Sequence, residues 1–449
     1  EAADSPILTT ALPATRTALH ADEAEMQWIA AAYFLGLGSL LLIGGRLGDI
    51  YGYRRMFLIG IAAFVTASLA CGVAATAGQL VAARLVQGAP RAVMAPQAMA
   101  IVQLLYSPLE RIGRLAWFGV IGGLAAILGP ILGGVLIDAN PFGFGWRAIF
   151  LINLPVGIAA LLAGRALIPP LRSEKSLRLD LVGATLFACA FAILLWVLIQ
   201  APELAWSAWC WIGLAASGAL FAVGWHHAGR RIAAVGSAVI EPALFRLRTF
   251  FWGLAAVGAF SAASTGFLLI FAVALQQGLG LSPLATALRH VPFGIGVMAG
   301  ISLIGRHYLP RFGRWLLVAG ALVMGSAVTL VLHHISSDAG DDWLLLALLF
   351  VAGLGMGMVA GPPPPIVVAH VDRAHAGSAS AILKSLQQIG GALGIAVAGG
   401  AYLSRAAAQP GGYLTALPAA AVATGLFLVV ALGCALRLPS AIFASADKG

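Results

Sequence analysis

Few residues in this chain are equipped for chemistry, and their surroundings single them out. Asp4 is the one acid set clearly inside an apolar run, and Arg84 interrupts another. An ionisable side chain in hydrocarbon costs about 2.5–3.5 kcal/mol on insertion scales, so each such residue is a candidate for function. Burial favours the protonated form of an acid, and a nearby cation favours its ionised form. A carboxylate beside a guanidinium is therefore suited to load and release a proton, with a purely structural ion pair as the competing use. Four cysteines, Cys71, Cys189, Cys210 and Cys434, fall singly in apolar runs without CxxC spacing, so neither a zinc site nor a disulfide framework is expected. The pairs His333-His334, beside Asp338, Asp341 and Asp342, and His226-His227, beside Arg230 and Arg231, are expected to be solvated helix ends. Adjacent side chains diverge on a helix, so neither pair suits a metal. No Gly-x-x-x-x-Gly-Lys-Ser/Thr phosphate loop occurs, so ATP does not drive this chain directly and no cofactor is implied.

Further polar groups lie in apolar stretches: Arg91, Gln276, Arg289 with His290, Lys384 and Gln388. They are candidates to line a small-molecule cavity, although long cationic chains also reach out to headgroups. Between two apolar runs lies Gly45-Arg46-Leu47-Gly48-Asp49-Ile50-Tyr51-Gly52-Tyr53-Arg54-Arg55. Glycines here permit a tight turn. A carboxylate among arginines can form charge-assisted bonds in one state and release them in another, which predicts a conformational latch at Gly45, Asp49, Gly52, Arg54 and Arg55.

The elements that position these residues follow from composition. The 449 residues are 61% hydrophobic and 10% charged, with a mean hydropathy of +0.96, against roughly 25% charged in a soluble domain. That excludes a soluble fold. The runs are too long and uniform for barrel strands, so an all-α membrane protein is predicted. Spans of roughly 20 residues are expected near 3–19, 27–47, 56–77, 80–104, 115–137, 149–168 and 181–200, then 207–226, 250–275, 284–304, 315–333, 343–364, 378–402 and 415–436. The first run is short and broken, with no cleavable leader, so upstream residues are expected to complete it. The net charge of +9 comes from Lys and Arg scattered through short breaks, which excludes a nucleic-acid stripe. Arg54, Arg55, Arg111, Arg114, Arg172, Lys175, Arg230, Arg231 and Arg314 fall on one side, and Asp22, Glu23, Glu203 and Asp338 on the other. The positive-inside rule then puts both termini in the cytoplasm of a bacterial-type inner membrane.

The long hydrophilic breaks 169–180 and 227–249 bracket a nearly uncharged helix pair. The expected organisation is an N-terminal six-helix bundle over 1–168, linkers and an inserted helix pair over 169–249, a C-terminal six-helix bundle over 250–437 and a tail over 438–449. Gly52-Tyr53-Arg54-Arg55 is weakly repeated as Phe312-Gly313-Arg314, at the matching turn of the second half.

The 45–55 stretch resembles the G-x-L-x-D-x-x-G-x-R-R loop of the major facilitator superfamily, with Ile50 where relatives often carry a basic residue. Asp4 with Ala11-Leu12-Pro13, Arg84-Leu85-Val86-Gln87-Gly88, Gly129-Pro130-Ile131-Leu132-Gly133-Gly134 and Trp146-Arg147 with Phe150, Asn153 and Pro155 resemble, in order, motifs of its fourteen-span drug:proton antiporter branch. Gln276-Gln277 and Gln387-Gln388-Ile389-Gly390-Gly391 extend the resemblance over nearly the whole chain. It implies a major facilitator fold of two six-helix bundles plus two inserted linker helices, working as a monomer by alternating access. Asp4 and Arg84 would couple transport to protons, and Gly129, Pro130, Gly133 and Gly134 would form a hinge or seal, with plain helix packing as the equal alternative. Several intramembrane cations against one acid favour an anionic, zwitterionic or neutral cargo, which allows a dedicated exporter of one metabolite as well as a drug pump. Pro310 stands where the first loop copy has Asp49, so the latch is expected on one side only. The run Pro362–Pro365 is expected to break span 12, either as a gate facing the cavity or as a cytoplasmic helix end. A lipid-group transferase would need clustered acids on surface loops, and a channel a repeated charged ring; neither pattern occurs.

Overall fold

The computed structural model describes residues 4–106, 121, 124–125, 128–140, 143–170, 180–201, 204, 206–236, 238–305, 312–337, 342–360, 367, 371, 376–408 and 412–438. Side chains at 5, 6, 42, 45, 46, 49, 103, 303–305 and 376–378 fall outside that description. Among the described residues the regular structure is all helical, with no strand. In chain order the helices are α1 (Asp4–Leu19), α2 (Glu23–Tyr51), α3 (Tyr53–Gly72) and α4 (Ala77–Leu105), then α5 (Leu128–Asp138), α6 (Gly145–Leu167), α7 (Leu181–Gln200) and α8 (Ala208–Val235). They continue with α9 (Arg248–Gly278), α10 (Pro283–Ser302), α11 (Arg314–Ser336), α12 (Asp342–Ala360), α13 (Ala379–Ala407) and α14 (Gly412–Leu436). Among the described residues, ten of these are long and apolar enough to cross a membrane: α3, α6 and all from α7 onward. The others, α1, α2, α4 and the shorter α5, lie at the remaining expected places.

Local chemistry explains the boundaries. Asp22 starts α2 with a capping box: its carboxylate accepts from the Glu25 amide at 2.7 Å, and Glu25 accepts from the Asp22 amide at 3.2 Å. Thr76 caps α4 and Ser282 caps α10, whose first residue is a proline that needs no amide partner. The chain turns from α2 to α3 at Gly52, whose φ of 95° disfavours any side chain.

By Cα proximity the chain divides into two compact units, one of residues 1–125 and 135–242, the other of 126–134 and 243–449. The first unit is built on α2 and α4, which cross so closely that a Cβ on Gly36 would overlap the Leu85 carbonyl oxygen, and one on Gly88 the Tyr33 carbonyl oxygen. Its core includes Tyr33, Leu37, Leu41, Phe64 and Ala92. The hairpin of α7 and α8 packs on the same unit, with α7 against α2. The second unit is organised by α9, packed against α13 and α14, and by α12, packed against α10 and α11. The 126–134 segment belongs to this unit, and Gly134 lies so near Leu284 that a Cβ would come within 2.6 Å of its Cα.

Candidate functional site

Four helices of the first unit converge on one buried polar cluster. Asp4 comes from the first turn of α1, Ser68 and Cys71 from α3, Arg84 and Gln87 from α4, and Asn153 from α6. The α2–α4 glycine contact draws Tyr33 and the Ile29 carbonyl alongside. Arg84 is 0% exposed and donates through Nη1 to Asp4 Oδ2 at 2.7 Å and to Gln87 Oε1 at 2.7 Å. Its Nε donates to the Ile29 carbonyl at 3.4 Å. Its guanidinium carbon stands 4.3 Å from the Tyr33 ring centroid, within cation–π range. Asp4 Oδ1 accepts from Gln87 Nε2 and Asn153 Nδ2, both at 3.3 Å, and the same two amides reach Ser68 Oγ at 2.9 and 3.3 Å.

A charge pair in so dry a place is tolerated only when its remaining lone pairs and protons are occupied. Here the carboxylate receives three donors on two oxygens, with the amides of Gln87 and Asn153 shared with a hydroxyl. Arg84 Nη2 is buried and makes no hydrogen bond among the described residues. Asp4 and Arg84, both singled out in the sequence, are brought together here by α1 and α4. The sequence motif contained Gln87 and the sixth-helix pattern contained Asn153, but Ser68 and Tyr33 carried no signal beyond being polar atoms in apolar runs.

The remaining candidates separate. Arg91 lies about two turns beyond Arg84 on α4 and donates through Nη1 to the Tyr33 hydroxyl at 2.5 Å. In the loop motif, the side chain of Asp49 and those of residues 45 and 46 lie outside the described residues. Gln97 fills the space beside Gly48 and donates to the Gly44 carbonyl at 2.6 Å. Arg55 is exposed, whereas Arg54 donates through Nη2 to the Arg165 carbonyl at 2.5 Å, closing the end of α6. The repeat in the second half does the same: Arg314 donates to the carbonyls of Leu436 at 3.1 Å and Leu438 at 2.6 Å, at the end of α14. Gly129, Pro130, Gly133 and Gly134 are all buried on α5.

In the second unit, Arg289 is held by Asp342 at the start of α12, with Arg289 Nη2 at 2.9 and 3.1 Å from the two carboxylate oxygens. It is thus an ion-paired residue, which changes the expected balance of cations against acids. His290 packs between Phe271 and Phe293, with ring centroids 5.8 and 4.9 Å away. Gln276 sits half-buried in the wide turn that ends α9. On α13, Lys384 is exposed and Gln388, one turn on, is half-buried. His333 and His334 fall in the last turn of α11, while Asp338 and Asp341, like Pro362–Pro365, lie outside the described residues. Among the described residues no three metal-ligating side chains gather.

Comparison with known proteins agrees with this architecture. The probable actinorhodin transporter of Streptomyces coelicolor is 38% identical over 399 residues, 88% of this chain and 69% of that protein. The puromycin resistance protein of Streptomyces alboniger is 32% identical over 99% of this chain and 90% of its own length. The crystal structure of the human organic anion transporter MFSD10 superposes with a TM-score of 0.64 at 17% identity, covering 98% of this chain and 96% of that one, which speaks for the fold alone. The Major Facilitator Superfamily model matches residues 2–395, and with these relatives and the motifs in order along the helices, the chain belongs to the Major Facilitator Superfamily.

Proposed function

We propose that this protein is a proton-driven exporter of small organic molecules, an antiporter with fourteen spans and both termini in the cytoplasm, working as a monomer without a cofactor. The observation that carries this is the Asp4–Arg84 pair, buried with three donors on the carboxylate and a guanidinium edge in reserve. Alternating access would let Asp4 take a proton on one side and release it on the other as the two bundles rock around the cargo. The kinship to proteins named for transport of, or resistance to, antibiotics supports an organic cargo.

The test is transport in proteoliposomes with an imposed pH gradient, comparing cationic ethidium with anionic carboxyfluorescein and with puromycin. Gradient-driven accumulation of at least one compound is expected. Asp4→Asn is expected to abolish it while leaving insertion and yield unchanged. Transport indifferent to the gradient, or undiminished in Asp4→Asn, would remove the proton-coupling role. A second reading, a dedicated exporter of one anionic, zwitterionic or neutral metabolite, is favoured by Arg91 and Lys384 in the spans. Transport of a single compound from a broad panel would select it.

A further inference from the structure

The inserted hairpin of α7 and α8 is held by a buried carboxylate that belongs to none of the motifs above. Asp180 stands immediately before α7, with its side chain 0% exposed. Its Oδ1 accepts from the Gly183 amide at 3.0 Å and faces His227 Nε2 at 2.9 Å, with Arg231 Nε at 3.5 Å. Its Oδ2 accepts from the Val239 amide at 3.1 Å. One side chain therefore joins the start of α7, the far end of α8 and the 238–240 segment that leads towards the second unit. Burial acts to raise the Asp180 carboxyl, but the His227 bond, the two amides and Arg231 outweigh it and hold the group below its ordinary value.

What this hub secures is a contact with α2. Val239 packs with Ala184 of α7 and Ile43 of α2, and Leu40, Leu47 and Ile240 close around them. Ile43 and Leu47 flank the start of the 45–55 loop motif, so the hub fastens the hairpin onto the part of α2 that carries the latch. A loosely tethered linker pair would need no such arrangement. A buried carboxylate costs free energy unless its partners are all present, and these partners come from three separated stretches of chain.

We propose that Asp180 is a positioning residue of the transport cycle, which docks the inserted hairpin and the 238–240 segment on α2 and thereby sets the helix end that bears the loop motif. This rests on the exporter assignment, but docking itself is measured without transport. In a chain with Cys189, Cys210 and Cys434 replaced by serine and the buried Cys71 retained, Leu47→Cys and Ile240→Cys are bridged with o-phenylenedimaleimide. Asp180→Asn removes the charge and one acceptor, and is expected to lower the bridging yield at least about tenfold. It is also expected to lower the maximal rate of gradient-driven export while leaving KM near that of the parent. His227→Gln, which disturbs one partner and spares the backbone bonds, is expected to do both to a smaller degree.

Rescue separates positioning from a general loss of structure. Asp180→Asn molecules that have been bridged are expected to regain the export rate that unbridged ones lose. Unaltered bridging in both variants, or bridged molecules that stay slow, would overturn the proposal. If the parent itself transports nothing along a pH gradient, the exporter assignment fails, and the bridging yields still decide whether Asp180 docks the hairpin.

Discussion

Removing the side-chain amide of Gln87 would strip a donor from Asp4 Oδ1, a donor from Ser68 and an acceptor from Arg84, all in a dry site. Leaving buried polar groups unpaired costs about 1–3 kcal/mol each, and more for charged groups. Gln87→Leu is therefore expected to lower the midpoint of thermal unfolding in detergent and to slow proton-driven exchange about tenfold or more; unchanged values of both would show the pair to be held by Arg84 alone. Asp180 gives a prediction of opposite character, in stability against pH. Its carboxyl lies below its ordinary value in the folded protein, so the ionised form is the one the fold stabilises. That contribution is fully present above the unfolded value of about 3.9 and is lost as pH falls through the lowered folded value. Wild-type stability is expected to fall across that acid window, and the Asp180→Asn variant to show a shallower fall measured by tryptophan fluorescence on heating. At this scale the sequence disclosed the ionisable members of the site, because an ionisable residue in an apolar run is conspicuous. Tyr33 and Ser68 were hidden because a tyrosine and a serine are unremarkable in a membrane helix until a guanidinium or an amide is seen against them.

Helix packing decides whether those side chains meet. At the α2–α4 crossing a Cβ on Gly88 would overlap the Tyr33 carbonyl oxygen and come within 2.6 Å of the Leu37 amide nitrogen, contacts with backbone that cannot swing aside. Gly88→Ala is expected to force the helices apart, cost about 1–3 kcal/mol and reduce the yield of folded protein, whereas Gly218→Ala, with nothing within 4 Å, is expected to be neutral. Size-exclusion profiles of the two variants in detergent check this, and equal behaviour would mean the crossing adapts. The arginines of the repeated turn work at the same scale. Arg54 of α3, at the end of α6, and Arg314 of α11, at the end of α14, each occupy terminal carbonyls that a helix leaves without intrahelical partners. The repeat was visible as a short string of similar residues, and its location at matching turns followed from span counting. Its carbonyl partners were not, since a main-chain acceptor more than 100 residues away leaves no trace in side-chain identity. Helix positions were legible almost throughout because hydropathy and length determine them. The placement of residues 126–134 with the second unit was not, because a glycine-rich face can pack against any close backbone.

For the molecule as a whole, the balance of charge bears on which cargo it carries. The sequence alone set one acid against several cations, which pointed away from lipophilic cations as cargo. Asp342 now accounts for Arg289, so that residue serves to join α10 to α12. Exposed ion pairs of this type contribute about 0–1 kcal/mol, and Arg289→Gln is accordingly expected to leave the choice between cargoes unchanged. Arg91, which donates to the Tyr33 hydroxyl, and Lys384, exposed on α13, are the two other cations proposed to meet the cargo. A carboxylate or phenolate near either would replace lost hydration with a charge-assisted bond, worth about 1.5–3 kcal/mol, whereas a permanent cation would gain nothing and meet repulsion. Neutralising both, as Arg91→Gln with Lys384→Gln, is therefore expected to raise KM for carboxyfluorescein at least about tenfold relative to ethidium in the same proteoliposomes. A uniform change for the two dyes would mean that the cations serve packing and headgroup contact, and that selection rests on shape and apolar surface.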